Sequence, residues 1–168
     1  MSSPNRMDFE EVQGFAPWVY VTVAGVMALG FIGAVTAAVA GGEHFGPGDY
    51  LLFLVLSLLP TFFVLNLLAL RTRIQAGSVR LSLGWLFPIF WRRLPLGEVS
   101  DPEIVRYRPL RDAGGWGLRF GRFGGERCQF WNARGDQGVR FHLNGKQYLI
   151  GTQQPDQLAA ALRGRGAD

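Results

Sequence analysis

The sequence predicts an α+β membrane protein: a two-helix transmembrane hairpin, then a small antiparallel β domain that ends in a helix. Three observations predict it. Phe15 to Gly42 and Tyr50 to Leu70 contain no Asp, Glu, Lys, Arg or His. Directly after the second run the chain turns to arginine and to short alternating segments. Its last residues return to helical spacing, with Leu158 and Leu162 four apart.

The two uncharged runs cover 28 and 21 positions. As helices they would extend roughly 42 and 31 Å, against a bilayer core of about 30 Å. The spans are placed at about 15–42 and 50–70, a hairpin over 15–70. Residues 1–14 carry a net charge of −2 and are read as a separate N-terminal segment. The connector carries Glu43 and Asp49 without any Lys or Arg, whereas residues 71–168 hold sixteen basic and eight acidic side chains. The positive-inside rule therefore puts both termini in the cytoplasm and the connector outside. An acidic start also lacks the basic n-region of a cleaved signal peptide, so the first span is expected to stay.

Small residues recur four apart in the first span, at Gly30, Ala34 and Ala38. Such a face admits close approach of another helix, either the second span or a helix of a larger complex. Phe15, Trp18 and Tyr20 at one end and Tyr50 at the other suit the bilayer interfaces. Pro60 is expected to kink the second span, and Asn66 to reach water at its cytoplasmic end.

The β domain is expected over 74–163, with a short tail at 164–168. Val79, Leu81 and Leu83 alternate with Arg80 and Ser82, reading as a strand that Gly84 ends. Trp85 to Leu96 reads as a second extended segment broken by Pro88, and Glu98 to Arg108 as a third. Gly114, Gly115 and Gly117 around Trp116 suggest a bent strand running through Phe120, and Gly124-Gly125 a turn before Arg127 to Trp131. Asn144-Gly145 is the preferred type I′ hairpin turn. Folding about it pairs Leu143 with Lys146, Phe141 with Tyr148 and Val139 with Ile150, which puts apolar partners on one face. Pro155 opens the final helix and Gly164 stops it.

Gly-Gly-Trp-Gly-Leu-Arg at 114–119, Gly138-Val139, Asn144-Gly145-Lys146, Ile150-Gly151-Thr152 and Pro155 with its helix follow one another over the last hundred residues. In this order, behind two spans, they resemble the bacterial pleckstrin-homology-like (PH-like) membrane proteins. The resemblance implies a small antiparallel β PH-like barrel with a C-terminal helix, in the bacterial inner membrane. It also implies an interaction or scaffolding role in membrane-protein assembly or maintenance, and it carries no catalytic residues.

No residue pattern demands chemistry. Glu43, His44 and Asp49 could form a site in the connector, but three polar groups in a loop between helices are ordinarily solvated. His142 reads as a surface histidine without an acid nearby in sequence. The glycine-rich stretches lack the strand-loop-helix context of a phosphate cradle. Cys128 is alone, excluding an intrachain disulfide or a cysteine-rich metal site. The bases are dispersed and accompany no nucleic-acid motif. We therefore expect no catalytic residue, no metal, no cofactor and no nucleic acid.

The expected role is a non-catalytic, membrane-anchored structural subunit. Its helices and cytoplasmic domain would dock onto other integral membrane subunits, for example of a respiratory or photosynthetic complex. The alternative is binding or sensing of anionic lipid headgroups. Candidate contact residues are Gly30, Ala34 and Ala38 on the first span. Trp85, Trp91, Arg92 and Arg93 follow the second span, and Arg106 and Arg108 join a further basic cluster with Arg111. The aromatics of 85–91 could equally be barrel core.

Overall fold

The chain enters a sheet before it reaches the first apolar helix. The computed structural model describes residues 9–41 and 46–164, in two compact units: 16–67, and the residues on either side of it. In chain order, Phe9–Gly14 form a strand (β1), Pro17–Ala40 a helix (α1) and Pro47–Leu67 a second helix (α2). Strands follow at Ala69–Gln75 (β2), Ser78–Leu83 (β3), Phe90–Pro95 (β4) and Val99–Arg106 (β5). A short helix at Pro109–Asp112 (α3) leads to Gly117–Phe123 (β6), Glu126–Asn132 (β7), Gln137–Leu143 (β8), Lys146–Gly151 (β9) and the helix Pro155–Arg163 (α4).

In the helical unit, α1 and α2 are long and apolar enough to cross a membrane, each with a mean hydropathy of 2.2. No residue of α1 is buried, unlike a core helix of a globular domain. Hydroxyls within these helices bond back to the preceding turn: Thr36 to Ile32 O, Ser57 to Phe53 O and Thr61 to Ser57 O, at 2.7–2.9 Å. That satisfies them without water. Helix α2 runs on through Pro60. Asn66, expected to reach water, is buried.

The β unit contains two sheets, ordered β1-β2-β3-β4 and β5-β8-β9-β7-β6. Three two-residue turns with positive φ build its hairpins: Ala76-Gly77, Gly124-Gly125 and Asn144-Gly145. The last produces the expected pairs, Leu143 with Lys146, Phe141 with Tyr148 and Val139 with Ile150. Leu70, Ile74, Val79, Leu81 and Leu94 of the first sheet are fully buried, as are Trp131, Val139, Phe141, Tyr148 and Ile150 of the second. A second cluster, Tyr107, Ala113, Cys128, Phe130 and Leu149, covers the other face of the second sheet. Helix α4 buries Leu158, Ala159, Ala161 and Leu162 and touches β1, β5 and β8.

Three expectations need correction. Residues 9–14 are not a separate segment: β1 pairs with β2 from Phe9↔Ile74 to Gly14↔Ala69. Leu68 to Leu70 do not extend the second span. Leu70 is fully buried in β2, so these residues are apolar because they enter a protein core. The β unit accordingly comprises residues 9–15 and resumes at Leu68, rather than starting at 74. The second sheet is mixed, because β7 and β9 run parallel from Cys128↔Gln147 to Trp131↔Ile150.

β1 also ties the two sheets together. Glu11 and Gln13 sit at buried positions. Glu11 accepts hydrogen bonds from Thr152 Oγ1 (2.5 Å) and Gln153 N–H (2.9 Å), and Gln13 Nε2 donates to Gly151 O at 2.8 Å. The strand leading into α1 is thereby clamped to the junction of β9 and α4.

Candidate functional site

Strand alternation sorts the charges of the first sheet. Inward positions of β2, β3 and β4 carry Leu70, Thr72, Ile74, Val79, Leu81, Leu83 and Leu94, all buried. Outward positions carry arginine. Cross-strand pairing sets Arg73 beside Arg80 and Arg80 beside Arg93; one row over, Arg71 pairs with Ser82 and Ser82 with Trp91. Like charges directly opposite each other in a sheet repel, so this arrangement costs stability in the isolated protein.

Counter-charge is scarce on that face. Arg73 Nη2 donates to both carboxylate oxygens of Glu10 at 2.7 Å, an exposed pair that neutralises one arginine. Among the described residues no carboxylate pairs with Arg71, Arg80 or Arg93. These side chains, with Trp91 and Pro88, line a shallow concavity of about 410 Å³. Trp91 is 71% exposed on its rim.

The aromatic segment before β4 is surface, not core. Trp85 is 68% exposed, Leu86 64% and Phe87 39%. A tight bend presents it: Ile89 N–H donates to Leu83 O at 3.0 Å, and Gly84 turns at φ 137° with Phe87 O only 2.0 Å from where a Cβ would stand. No other residue type fits there.

Alternation separates the expected Arg92-Arg93 pair. Arg93 joins the outward arginine face, while Arg92 pairs with the buried Leu81 and lies over the Tyr148 ring, 5.8 Å from its centroid. Arg106 ends β5 opposite Gln137, and Arg108 precedes α3, its N–H donating to Asp112 Oδ2 at 2.7 Å. Neither lines the concavity. Arg71, Arg73 and Arg80 do, and their alternate spacing along the sequence is the signal that marks one strand face.

On α1, Gly30 and Ala34 are exposed, and a Cβ built on Gly30 would meet nothing within 4 Å. Ala38 is half-buried. The cavity between the helices is lined instead by Ala24, Met27, Ala28 and Phe31 against α2. The small-residue face is thus not the seam of this hairpin.

The remaining candidates have structural roles. Asp49 accepts Gly46 N–H at 2.8 Å at the start of α2. Glu43 and His44 lie outside the described residues. His142 does meet an acid, Glu126, at 3.3 Å, brought across from β7. Burial pushes the Cys128 thiol up to about 12, only partly opposed by Arg140, so it stays protonated and unreactive at neutral pH. Burial likewise raises the Tyr107 phenol to about 12, against a lowering contribution from Asn132. Among the described residues, no three His, Cys, Asp or Glu side chains cluster as metal ligands would.

Comparison with family models, curated proteins and solved structures finds no match. The functional reading therefore stands on the geometry of the chain itself.

Proposed function

We propose that this is a non-catalytic, membrane-anchored module whose first sheet engages anionic lipid headgroups through Arg71, Arg80 and Arg93. The observation that carries this is the outward face of β2–β4: adjacent arginines lacking carboxylate partners, rimmed by exposed Trp91. Only Leu68 separates α2 from β2, so the arginines begin four residues beyond an apolar helix. In this reading α1 and α2 span the bilayer, and the arginines after α2 keep the β unit on the cytoplasmic side. Each basic side chain near an anionic leaflet contributes about 1 kcal/mol. Headgroup phosphates also relieve the cross-strand repulsion, and Trp91 and Trp85 suit the interfacial layer. The PH-like expectation belongs to the same proposal: two sheets and a C-terminal helix support it, and the parallel β7–β9 pair departs from an all-antiparallel barrel.

The test is hydrogen exchange of the full chain in nanodiscs of phosphatidylcholine alone or with phosphatidylglycerol. Protection of β2–β4 should rise with the anionic lipid, fall with salt, and disappear in Arg80→Gln/Arg93→Gln. Equal protection in both nanodiscs rejects the proposal.

A second reading has its own observation. Gly30 and Ala34 remain uncovered by α2, which favours docking of another integral membrane subunit on α1. Crosslinking from Ala34 in native membranes tests it, and recovery of uncrosslinked chain alone counts against it.

A further inference from the structure

A second basic site opens at the surface of the β unit, between its two sheets. Along β6, β7 and β9, the positions sharing the face of Tyr148 are Phe120 and Arg122, Arg127 and Gln129, and Lys146. Arg122 stands directly opposite Arg127 in the β6–β7 pair, and Phe120 opposite Gln129. Arg92 reaches the same space from the other sheet, over Tyr148. These six residues line a cleft of about 670 Å³, large enough for a small organic molecule.

The charges of this cleft are sorted by sign. Glu126 is the one acid on β6 to β9, and alternation sends it to the opposite face, where it meets His142. Glu103 is likewise taken by Arg140. Among the described residues none of Arg92, Arg122, Arg127 and Lys146 has a carboxylate partner. Four cations thus converge on one cleft, two of them in a directly repelling cross-strand pair. Phe120, 76% exposed, offers an uncovered ring at the same opening.

We infer that the cleft between the sheets binds a phosphate ester, its phosphate held by Arg122, Arg127, Lys146 and Arg92 and its organic part against Phe120. Guanidinium pairs match phosphate oxygens in geometry as well as charge. The phosphate could belong to a soluble ester or to a lipid headgroup. Arg71, Arg73, Arg80 and Arg93 of the outward face do not line this cleft, and Arg92 alone borders both.

The full chain in a neutral maltoside detergent provides the test, by thermal unfolding with phenyl phosphate against NaCl of equal ionic strength. A parallel arm uses dihexanoylphosphatidic acid against dihexanoylphosphatidylcholine. The expected result is a saturable rise in Tm in at least one arm, phenyl phosphate marking a soluble ester and phosphatidic acid alone a lipid source. In Arg122→Gln/Arg127→Gln the apparent Kd should weaken by about tenfold or more. The ligand-free Tm of that variant should rise, because repulsion is removed; a purely structural pair would lower it. Arg80→Gln/Arg93→Gln should bind as the parent does. No rise in either arm overturns the inference, as does an equal rise in the Arg122/Arg127 variant or a loss confined to the Arg80/Arg93 variant.

Discussion

Thr152→Val tests whether the strand entering α1 is locked into the β unit by a buried carboxylate. Thr152 is fully buried and Glu11 is 7% exposed. The Thr152 hydroxyl donates to Glu11 Oε2 at 2.5 Å and accepts Gln154 N–H at 3.0 Å. Valine keeps the shape and removes both bonds. A hydrogen bond to a charged acceptor contributes about 1.5–3 kcal/mol, and an orphaned N–H adds about 1 kcal/mol, so the expected loss is roughly 2.5–4 kcal/mol. Urea unfolding of the full chain in micelles, followed by near-ultraviolet circular dichroism, reads this from the packed aromatics of the β unit. Glu11→Gln and the double variant complete a cycle, in which contacting partners should couple by about 1 kcal/mol or more. A loss below about 1 kcal/mol, or coupling near zero, would refute the clamp.

Other predictions follow from the same geometry. Replacing residues 16–67 by Asn-Gly should yield a folded, water-soluble β unit, since Phe15 N–H already donates to Leu68 O at 3.2 Å and Gly14 pairs with Ala69. Residues 74–168 alone should not fold, because they lack β1 and most of β2; chemical-shift dispersion distinguishes the two. Stability should fall as pH rises from about 9 towards 12. The unfolded Cys128 thiol ionises near its ordinary 9.0, while the folded one holds its proton to about 12, so the unfolded state is favoured on the way up. Cys128→Ala should flatten that slope in urea titrations, leaving a Tyr107 contribution above pH 10. Gly138→Ala should cost about 1–3 kcal/mol, because its Cβ would stand 2.6 Å from Ile150 O and 2.8 Å from Leu149 Cδ2.

Where the sequence could be read, the controlling interaction was local. Asn144-Gly145 dictates its own turn, and the turn dictates three pairs of β8 and β9. Pro155, Leu158, Leu162 and Gly164 mark a helix within one short window. Strand β1 escaped for a converse reason: its buried positions hold Phe9, Glu11 and Gln13 while Val12 is exposed, inverting the expected alternation. Glu11 is acceptable there only because Thr152 and Gln153, at the far end of the chain, satisfy it. The candidate sites were half legible. Trp91 and Arg93 were named, but the sequence placed Arg92 with them, and only the pleat sends Arg92 to the other side.

The sequence by itself determined two apolar helices, the arginine-rich β region after them, the last hairpin in register and the closing helix. Each depends on hydrophobic runs, periodicity or turn chemistry within about twenty residues. Tertiary structure alone decided that Phe9–Gly14 join the first sheet, that β9 pairs parallel to β7, and that the arginines divide between the outward face of the first sheet and the cleft between the sheets. Those outcomes depend on which distant strand lies alongside and which face of it turns inward, and neither is written in any single segment.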